Sequence, residues 1–596
     1  MSSTAETYFQ VSEAGQAMQR SLISEHLSHW AQVMPDREAL TFVDYSVERA
    51  GVNETLTYAE LDQRVTAAAA RLQSVAKQGE RVTILAPQGM QYLVFFLGAL
   101  RAGIVAVPLF SPDLPGHSDR LASIFGDCAP VAALASNVNQ QVVVDFLSAQ
   151  PAGGDIPIVN IDELSLELGA DFTPVPLQAT DLAYLQYTSG STRLPAGVLI
   201  SQGNVVANAS QAILALQGEG DPVNLVSWLP LFHDMGLVFV VGGCVVGGLH
   251  SIFMDPIAFL IKPLRWLRAL SAYPNTISPA PNFAFDYCSA KVTEAEKETL
   301  SLQNVRALAN GAEPVRPDTL AKFNAAFAGC GLRDNVIRPS YGLAEATVYV
   351  AGSTKPEPAT EAVFDFGKLS QGIATTEVSD TENTVRMVSV GAPFDQVAVI
   401  ANPDSGEHLE DGLIGEIWIH GPNVSTGYWN KPELSAEVFG QTLVNPRTAV
   451  PSGPWLRSGD LGVMVEGELY ITGRMKDLII VAGRNHYPQD LEATVEGAHE
   501  TIGRHRTAAF SVPSSDGEGV VVVAEISRHA SADAWDSETV SRAIRKSLSQ
   551  RHSVSALDVV LVVPNDVPRT SSGKIARAAT RQRYLDGQLV LAGSTE

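Results

Sequence analysis

"QYTSGSTRLPAGV", residues 186–198, starts as the tail of an apolar run and turns within two residues into hydroxyls and glycine. The run before it, Leu182–Tyr187, reads as a buried strand. Thr188, Ser189, Gly190, Ser191 and Thr192 then offer hydroxyls and closely approachable backbone N–H groups, which together make a concave anion nest that needs no cation. The loop has neither the GxxxxGK[ST] nor the GxGxxG spacing, and Ala196 stands where phosphate loops usually keep a lysine. A plain polar turn after a strand is the alternative, and the loop alone does not choose between the two.

The same rhythm extends outward. Residues 82–86 read as a strand, 90–102 as a helix and 104–108 as a strand; short strands recur at 223–229, His250–Met254, 276–278 and 336–338, with helical stretches such as 262–273 between them. This is an α/β architecture with mostly parallel sheets. Two stretches break it. Residues 351–387 are rich in threonine and glutamate around an apolar island at 363–373, too long for an ordinary loop, so a functional insertion is expected. Beyond Gly473 the pattern becomes a smaller α+β unit of about 120 residues, a normal domain size, with strands at 507–512 and 520–526. The expected division is 1–474 and 475–596.

Composition narrows the function classes. With 596 residues, 45% hydrophobic and 18% charged, the chain can bury several cores and is expected to form two or more domains. A net charge of −24 argues against a nucleic-acid partner, whose phosphates need a basic surface. An anionic substrate then requires a local positive site. The opening "MSSTAETYFQ" carries no basic region followed by an apolar core, so no secretory signal is read. The apolar run 236–249 is short and broken by glycines, below the roughly 18 residues of a spanning helix. A cytoplasmic protein without a transmembrane segment is expected. Cys128, Cys244, Cys288 and Cys330 are widely scattered without partner histidines, which points to buried free thiols.

Seven stretches, taken in order, resemble the core motifs of the adenylate-forming superfamily: "YTSGSTRLPAGV" (187–198), "NGAEPV" (310–315), "SYGLAEAT" (340–347), "GEIWIHGPNVSTGYW" (415–429), "RSGDLG" (457–462), "GRMKDLIIVAGRNHYPQDLE" (473–492) and "PRTSSGKIAR" (568–577). That superfamily includes acyl-CoA synthetases, adenylation domains and fatty acyl-AMP ligases. The likeness is closest to the fatty acyl-AMP ligases, especially the long-chain members of mycolic-acid-making bacteria. It rests on "RLPAGV", on "LPLFHDMGL" (229–237), on "PAPNFAFDYC" (279–288) and on the insertion. The usual superfamily loop ends in Pro-Lys-Gly; the departure at Ala196 is shared by this branch.

The resemblance implies a large N-terminal domain of mostly parallel sheets and a small mobile α+β C-terminal domain. It implies that a long-chain fatty carboxylate attacks the α-phosphorus of ATP, with Mg²⁺ neutralising the phosphates and pyrophosphate leaving. The acyl-AMP would then pass its acyl group to the phosphopantetheine arm of an acyl carrier protein or polyketide synthase carrier domain. A long-chain acyl-CoA synthetase shares every adenylation motif and is the runner-up. A non-catalytic acyl or nucleotide binder, suggested by the missing lysine, is opposed by intact Glu345, Asp460 and Lys574.

The same resemblance assigns roles. Glu345 becomes the Mg²⁺ ligand, against a solvated loop glutamate. Tyr341, between Ser340 and Gly342, stacks on adenine opposite Asn310, Gly311 and Ala312, against a core tyrosine. Asp460 accepts from the ribose hydroxyls, Arg474 contacts ribose or phosphate, and Lys476 falls at the hinge. Lys574 is the catalytic lysine and His233 sits beside the acyl carboxylate. Met235, residues 237–246, Phe283 and Phe285 either line the acyl tunnel or form ordinary core. Arg193 either replaces the missing loop cation or is a surface arginine.

Overall fold

The computed structural model describes residues 22–593 apart from 115–116, 152, 189–194, 218–222, 377–378, 380, 382, 448–449, 482–483, 515–516, 529, 531–534 and 571–573. Its large N-terminal part holds two mostly parallel sheets. The first runs, in spatial order, Ile158–Asn160, Ala132–Ala135, Arg81–Ile84, Val105–Pro108, Leu182–Tyr187 and Gly197–Ser201. The second places Ile337–Tyr341, Val305–Gly311, Thr276–Pro281, Asn224–Ser227, His250–Met254 and Glu38–Asp44 side by side in parallel, with short antiparallel strands at both edges. Strands covered on both faces are apolar along their whole length, which is why these segments read as continuous apolar runs rather than alternating ones.

The loop quoted at the outset joins two antiparallel strands. Leu182–Tyr187 is followed by an antiparallel strand, Gly197–Ser201, before the helix Gln202–Gln217, so the loop closes an antiparallel pair in which Tyr187 faces Gly197. Gly197 is required there, because a Cβ would come within 2.9 Å of the Tyr187 ring.

A four-stranded antiparallel sheet follows: Val397–Ala401, Gly415–His420, Leu456–Val465 and Glu468–Arg474. Its last hairpin sets Asp460 directly opposite Arg474. The C-terminal unit packs the helices Pro488–Ala498 and Ser537–His552 on a three-stranded sheet, Ile502–Ser514, Gly517–Ile526 and Ala556–Val562. It meets the N-terminal part through Arg316 and Glu496 at 3.2 Å and through Asp286 and His505 at 2.9 Å.

Within the insertion, Glu361–Asp365 pairs antiparallel with Thr384–Val388 and runs into a single helical turn, Phe366–Leu369. Phe364 is fully buried against Leu369, Val463 and Tyr470, its ring 5.2 Å from that of Tyr470. Phe366 instead reaches the C-terminal unit, 5.1 Å from the His552 ring. The Asn485 N–H donates to the Ser370 carbonyl at 3.3 Å. The island therefore touches both the four-stranded sheet and the C-terminal unit.

All four cysteines are free; Cys128, Cys244 and Cys288 are buried, while Cys330 is only half-buried because it ends the short turn after the helix Pro317–Phe327. Among the described residues no helix is long and apolar enough to cross a membrane.

Candidate active site

The parallel strands of both sheets end at one crevice, the usual ligand position in open α/β sheets. A cavity of about 370 Å³ opens there. Thr188 follows the strand Leu182–Tyr187. His233 lies just beyond Asn224–Ser227, and Gly311 and Ala312 end the strand Val305–Gly311. Ser340, Tyr341, Gly342 and Glu345 end the strand Ile337–Tyr341 or follow it. Asp460 and Arg474 arrive from the four-stranded sheet, and Lys476 and Lys574 from beyond it. Gly342 could be no other residue, since a Cβ would fall 1.5 Å from the Val348 carbonyl oxygen.

Asp460 is buried, and its two oxygens are occupied by different partners. Tyr341 donates its hydroxyl to Oδ2 at 2.8 Å, and Arg474 Nε lies 3.1 Å from Oδ1. The Asp460 carboxylate pushes the Arg474 guanidinium pKa up, outweighing burial. Tyr341 is thus anchored by its hydroxyl with its ring along the cavity wall. The chain around Asp460 is fixed by Glu416, which escaped the sequence reading. This carboxylate accepts from the Gly459 N–H at 3.0 Å, from Trp418 Nε1 at 2.9 Å and from Arg457 Nε at 2.8 Å. Its signal was its place inside "GEIWIHG".

Glu345 accepts from the Tyr428 hydroxyl at 2.8 Å, and burial raises its carboxyl pKa above the ordinary value. Asp234, also missed, lies 2.7 Å from His233 Nδ1 and accepts the Met235 N–H at 2.7 Å. Burial pushes the Asp234 carboxyl up, but His233 and then Lys574 outweigh it, and the group ends below its ordinary value. Lys574 is held by backbone bonds to Thr570: its N–H donates to Thr570 Oγ1 at 3.1 Å and its carbonyl accepts the Thr570 N–H at 2.8 Å. Burial first, then the Arg474 guanidinium, pull its ammonium pKa down; Asp234, Glu313 and Asp460 oppose.

Some expected residues fall elsewhere. Asn310 lies behind the wall, fully buried, donating to Asn282 Oδ1 at 3.3 Å, while its own Oδ1 has no partner. Of the acyl-tunnel set, Met235 and Phe239 line the cavity, joined by Leu109, Phe110, Phe232 and Val348. Phe285 does not, being wedged between Trp266 and Phe323 at ring distances of 5.8 and 5.0 Å. Phe283 packs on Trp228 at 6.1 Å. The rest of 237–246 is buried helix, whose turn presents only Phe239 to the cavity. Ser189, Gly190, Ser191, Thr192 and Arg193 lie outside the described residues. The ends of their loop carry cations from other elements, Arg120 donating to the Thr188 carbonyl and Lys431 to the Pro195 carbonyl, each at 2.8 Å.

Among the described residues no cluster of three or more His, Cys, Asp or Glu forms a metal cage. A lone carboxylate such as Glu345 suits Mg²⁺ that is held mainly by substrate phosphates.

Residues 27–429 match the AMP-binding enzyme family, and residues 476–594 match the AMP domain of Disco-interacting protein 2-like proteins. The chain is 41% identical to the long-chain-fatty-acid–AMP ligase FadD26 of Mycobacterium marinum, over 94% of this chain and 96% of that one. It is also 41% identical to a Mycobacterium tuberculosis protein called putative fatty-acid–CoA ligase fadD25, over 93% and 96%. A crystal structure of a fatty acyl-adenylate ligase from Legionella pneumophila in complex with acyl adenylate and pyrophosphate superposes with a TM-score of 0.73 at 32% identity, over 97% of this chain and 98% of that one. The chain belongs to the AMP-binding enzyme family and, within it, to the fatty acyl-AMP ligases.

Proposed function

We propose that this protein activates a long-chain fatty acid with ATP to acyl-AMP and pyrophosphate, then delivers the acyl group to the phosphopantetheine arm of a carrier protein or polyketide synthase carrier domain, in lipid synthesis of the mycolic-acid type. The observation that carries this reading is one cavity in which Lys574 of the C-terminal unit meets Asp460, Glu345 and His233 beside an apolar recess. We divide the chain into domains 1–474 and 475–596, with Lys476 at the hinge.

The reaction asks the protein for position and charge rather than a covalent nucleophile. Asp460 accepts the ribose hydroxyls, and its hold on Tyr341 and Arg474 keeps both at the nucleotide. Gly311 and Ala312 give the adenine a close backbone approach across from the Tyr341 ring. Thr188 opens the phosphate loop. Met235, Phe239 and Val348 receive the chain, so the carboxylate rests by His233 and faces the α-phosphorus. Lys574 offsets the negative charge that gathers between the two. When bound, Mg²⁺ neutralises the ATP phosphates, with Glu345 as its protein ligand.

Glu345→Ala is expected to shift the Mg²⁺ midpoint for adenylation upward by about tenfold, because one of very few protein oxygens for a hard cation is lost. A magnesium titration measures this, and an unchanged midpoint removes Glu345 from the metal.

Names among the relatives divide between AMP ligase and CoA ligase. The contact of the insertion with both parts of the chain favours the carrier-directed reading, since it opposes rotation of the C-terminal unit. Incubating the protein with ATP, fatty acid and either free CoA or a phosphopantetheinylated carrier decides the matter. Acyl-carrier without acyl-CoA is expected; acyl-CoA as the main product favours the synthetase.

A further inference from the structure

Lys574 comes from the C-terminal unit, while the groups it meets come from the large one, so something must set how the two dock. His505 stands between them. It lies where the long strand Ile502–Ser514 loses register with its neighbour, and its φ is +55°, in the left-handed region that non-glycine residues adopt uncommonly. That turn sends its ring and its carbonyl to different partners.

The ring reaches across the interface. His505 Nε2 is 2.9 Å from Asp286 Oδ2, an oxygen that also accepts the Thr319 hydroxyl at 2.7 Å. Thr319 in turn accepts from Asn282 Nδ2 at 3.2 Å, and Asn282 Oδ1 accepts from Asn310 Nδ2 at 3.3 Å. This chain of bonds ends at the wall behind Gly311. The next residue docks too: the Arg506 N–H donates to Glu496 Oε1 at 3.2 Å, and Glu496 Oε2 pairs with Arg316 at 3.2 Å.

The carbonyl serves the other side. Arg569 donates from Nη2 to the His505 carbonyl. Arg569 also forms a β-bridge with Ile575, and the Ala576 N–H donates to the Pro568 carbonyl at 2.9 Å, so residues 568–570 run antiparallel to 574–576 as the two arms of a small hairpin, one of which carries Lys574. One residue is therefore bonded both to Asp286, from which the chain of bonds runs to the wall behind Gly311, and to Arg569 at the base of the lysine hairpin.

We propose that His505 is a positioning residue for adenylation: its ring bond to Asp286 docks the C-terminal unit, and its carbonyl bond to Arg569 sets the lysine hairpin from that docked position. The inference rests on the acyl-AMP ligase reading above. Adenylation needs Lys574 held in the cavity, whereas transfer from preformed acyl-AMP makes no use of that lysine, so the two half-reactions separate this role from a merely structural one.

The test uses the full chain with a phosphopantetheinylated carrier. His505→Asn suits the left-handed backbone but is too short to keep the Asp286 bond; Asp286→Ala removes the acceptor from the other side without touching His505. Each is expected to lower the pyrophosphate-release rate about tenfold, the scale of a slightly misplaced catalytic group. KM for ATP and fatty acid stays near wild type. The double variant loses no more than either single one, as expected of two partners in one interaction. Transfer from supplied acyl-AMP to the carrier keeps its wild-type rate. Should His505→Asn fold poorly, Asp286→Ala reads the same bond alone. Unchanged adenylation in the folded variants, or an equal loss in both half-reactions, overturns the proposal. Wild-type protein that forms no acyl-AMP overturns the functional reading instead.

Discussion

Lys574→Ala is expected to lower acyl-AMP formation by about 10²–10³, the usual loss on removing one preorganised donor from a developing charge. The melting temperature and ATP affinity stay near wild type, because Lys574 lines the cavity and belongs to no packed core. Pyrophosphate release at saturating substrate measures the loss, and equal rates in mutant and wild type take Lys574 out of the mechanism. The pH profile adds a second check. If Lys574 is the catalytic cation, its ammonium is the active form, and burial, followed by the Arg474 charge, pulls its pKa below the ordinary lysine value. Activity in the wild type therefore falls on the alkaline side before an ordinary lysine would titrate. Lys574→Arg, whose guanidinium stays charged, retains some activity and lacks that alkaline fall.

The parallel sheets were legible because both of their faces are covered, which leaves an apolar run wherever a strand lies. The positions of Thr188, Gly311, Tyr341, Glu345, Asp460, Arg474 and Lys574 were legible as motifs, and all seven line one cavity. Their partners were not. Asp460 faces Arg474 through the register of a hairpin, and Glu345 meets Tyr428 across the sheets; neither pairing has a local signature. Arg120 reaches the Thr188 carbonyl from a helix whose only sequence signal is amphipathicity. The apolar assignments blurred for a related reason. Phe285 and Phe239 are equally good core residues by type, and only the rotation of their helices sends one into an aromatic cluster and the other to the cavity.

That distinction also separates two phenylalanines of the insertion, which the sequence would treat alike. Phe364 points into the four-stranded sheet and is fully buried beside Tyr470. Its replacement by serine costs at least the roughly 3–5 kcal/mol of a buried Phe→Ala change, and the island loses its fold. Phe366 lies on the other side and packs edge-on against His552 of the C-terminal unit. Burial, with help from Arg551 and His486, pushes the His552 imidazole pKa down to about 4, so a neutral ring meets Phe366 at neutral pH. The contact is apolar and survives changes of salt. If it restrains rotation of the C-terminal unit, free CoA gives little acyl-CoA with the intact enzyme. Phe366→Ser then raises the ratio of acyl-CoA to acyl-AMP without loss of stability, and Phe364→Ser or deletion of 361–373 raises it further. Quantifying both products with ATP, fatty acid and CoA decides between the possibilities. Unchanged rejection of CoA in well-folded Phe366→Ser and deletion variants sinks the role of the insertion and leaves the ligase standing, with CoA then excluded by the shape of its own binding site. Abundant acyl-CoA from the intact enzyme overturns the carrier-directed reading itself, because no restraint on the C-terminal unit would then be at work.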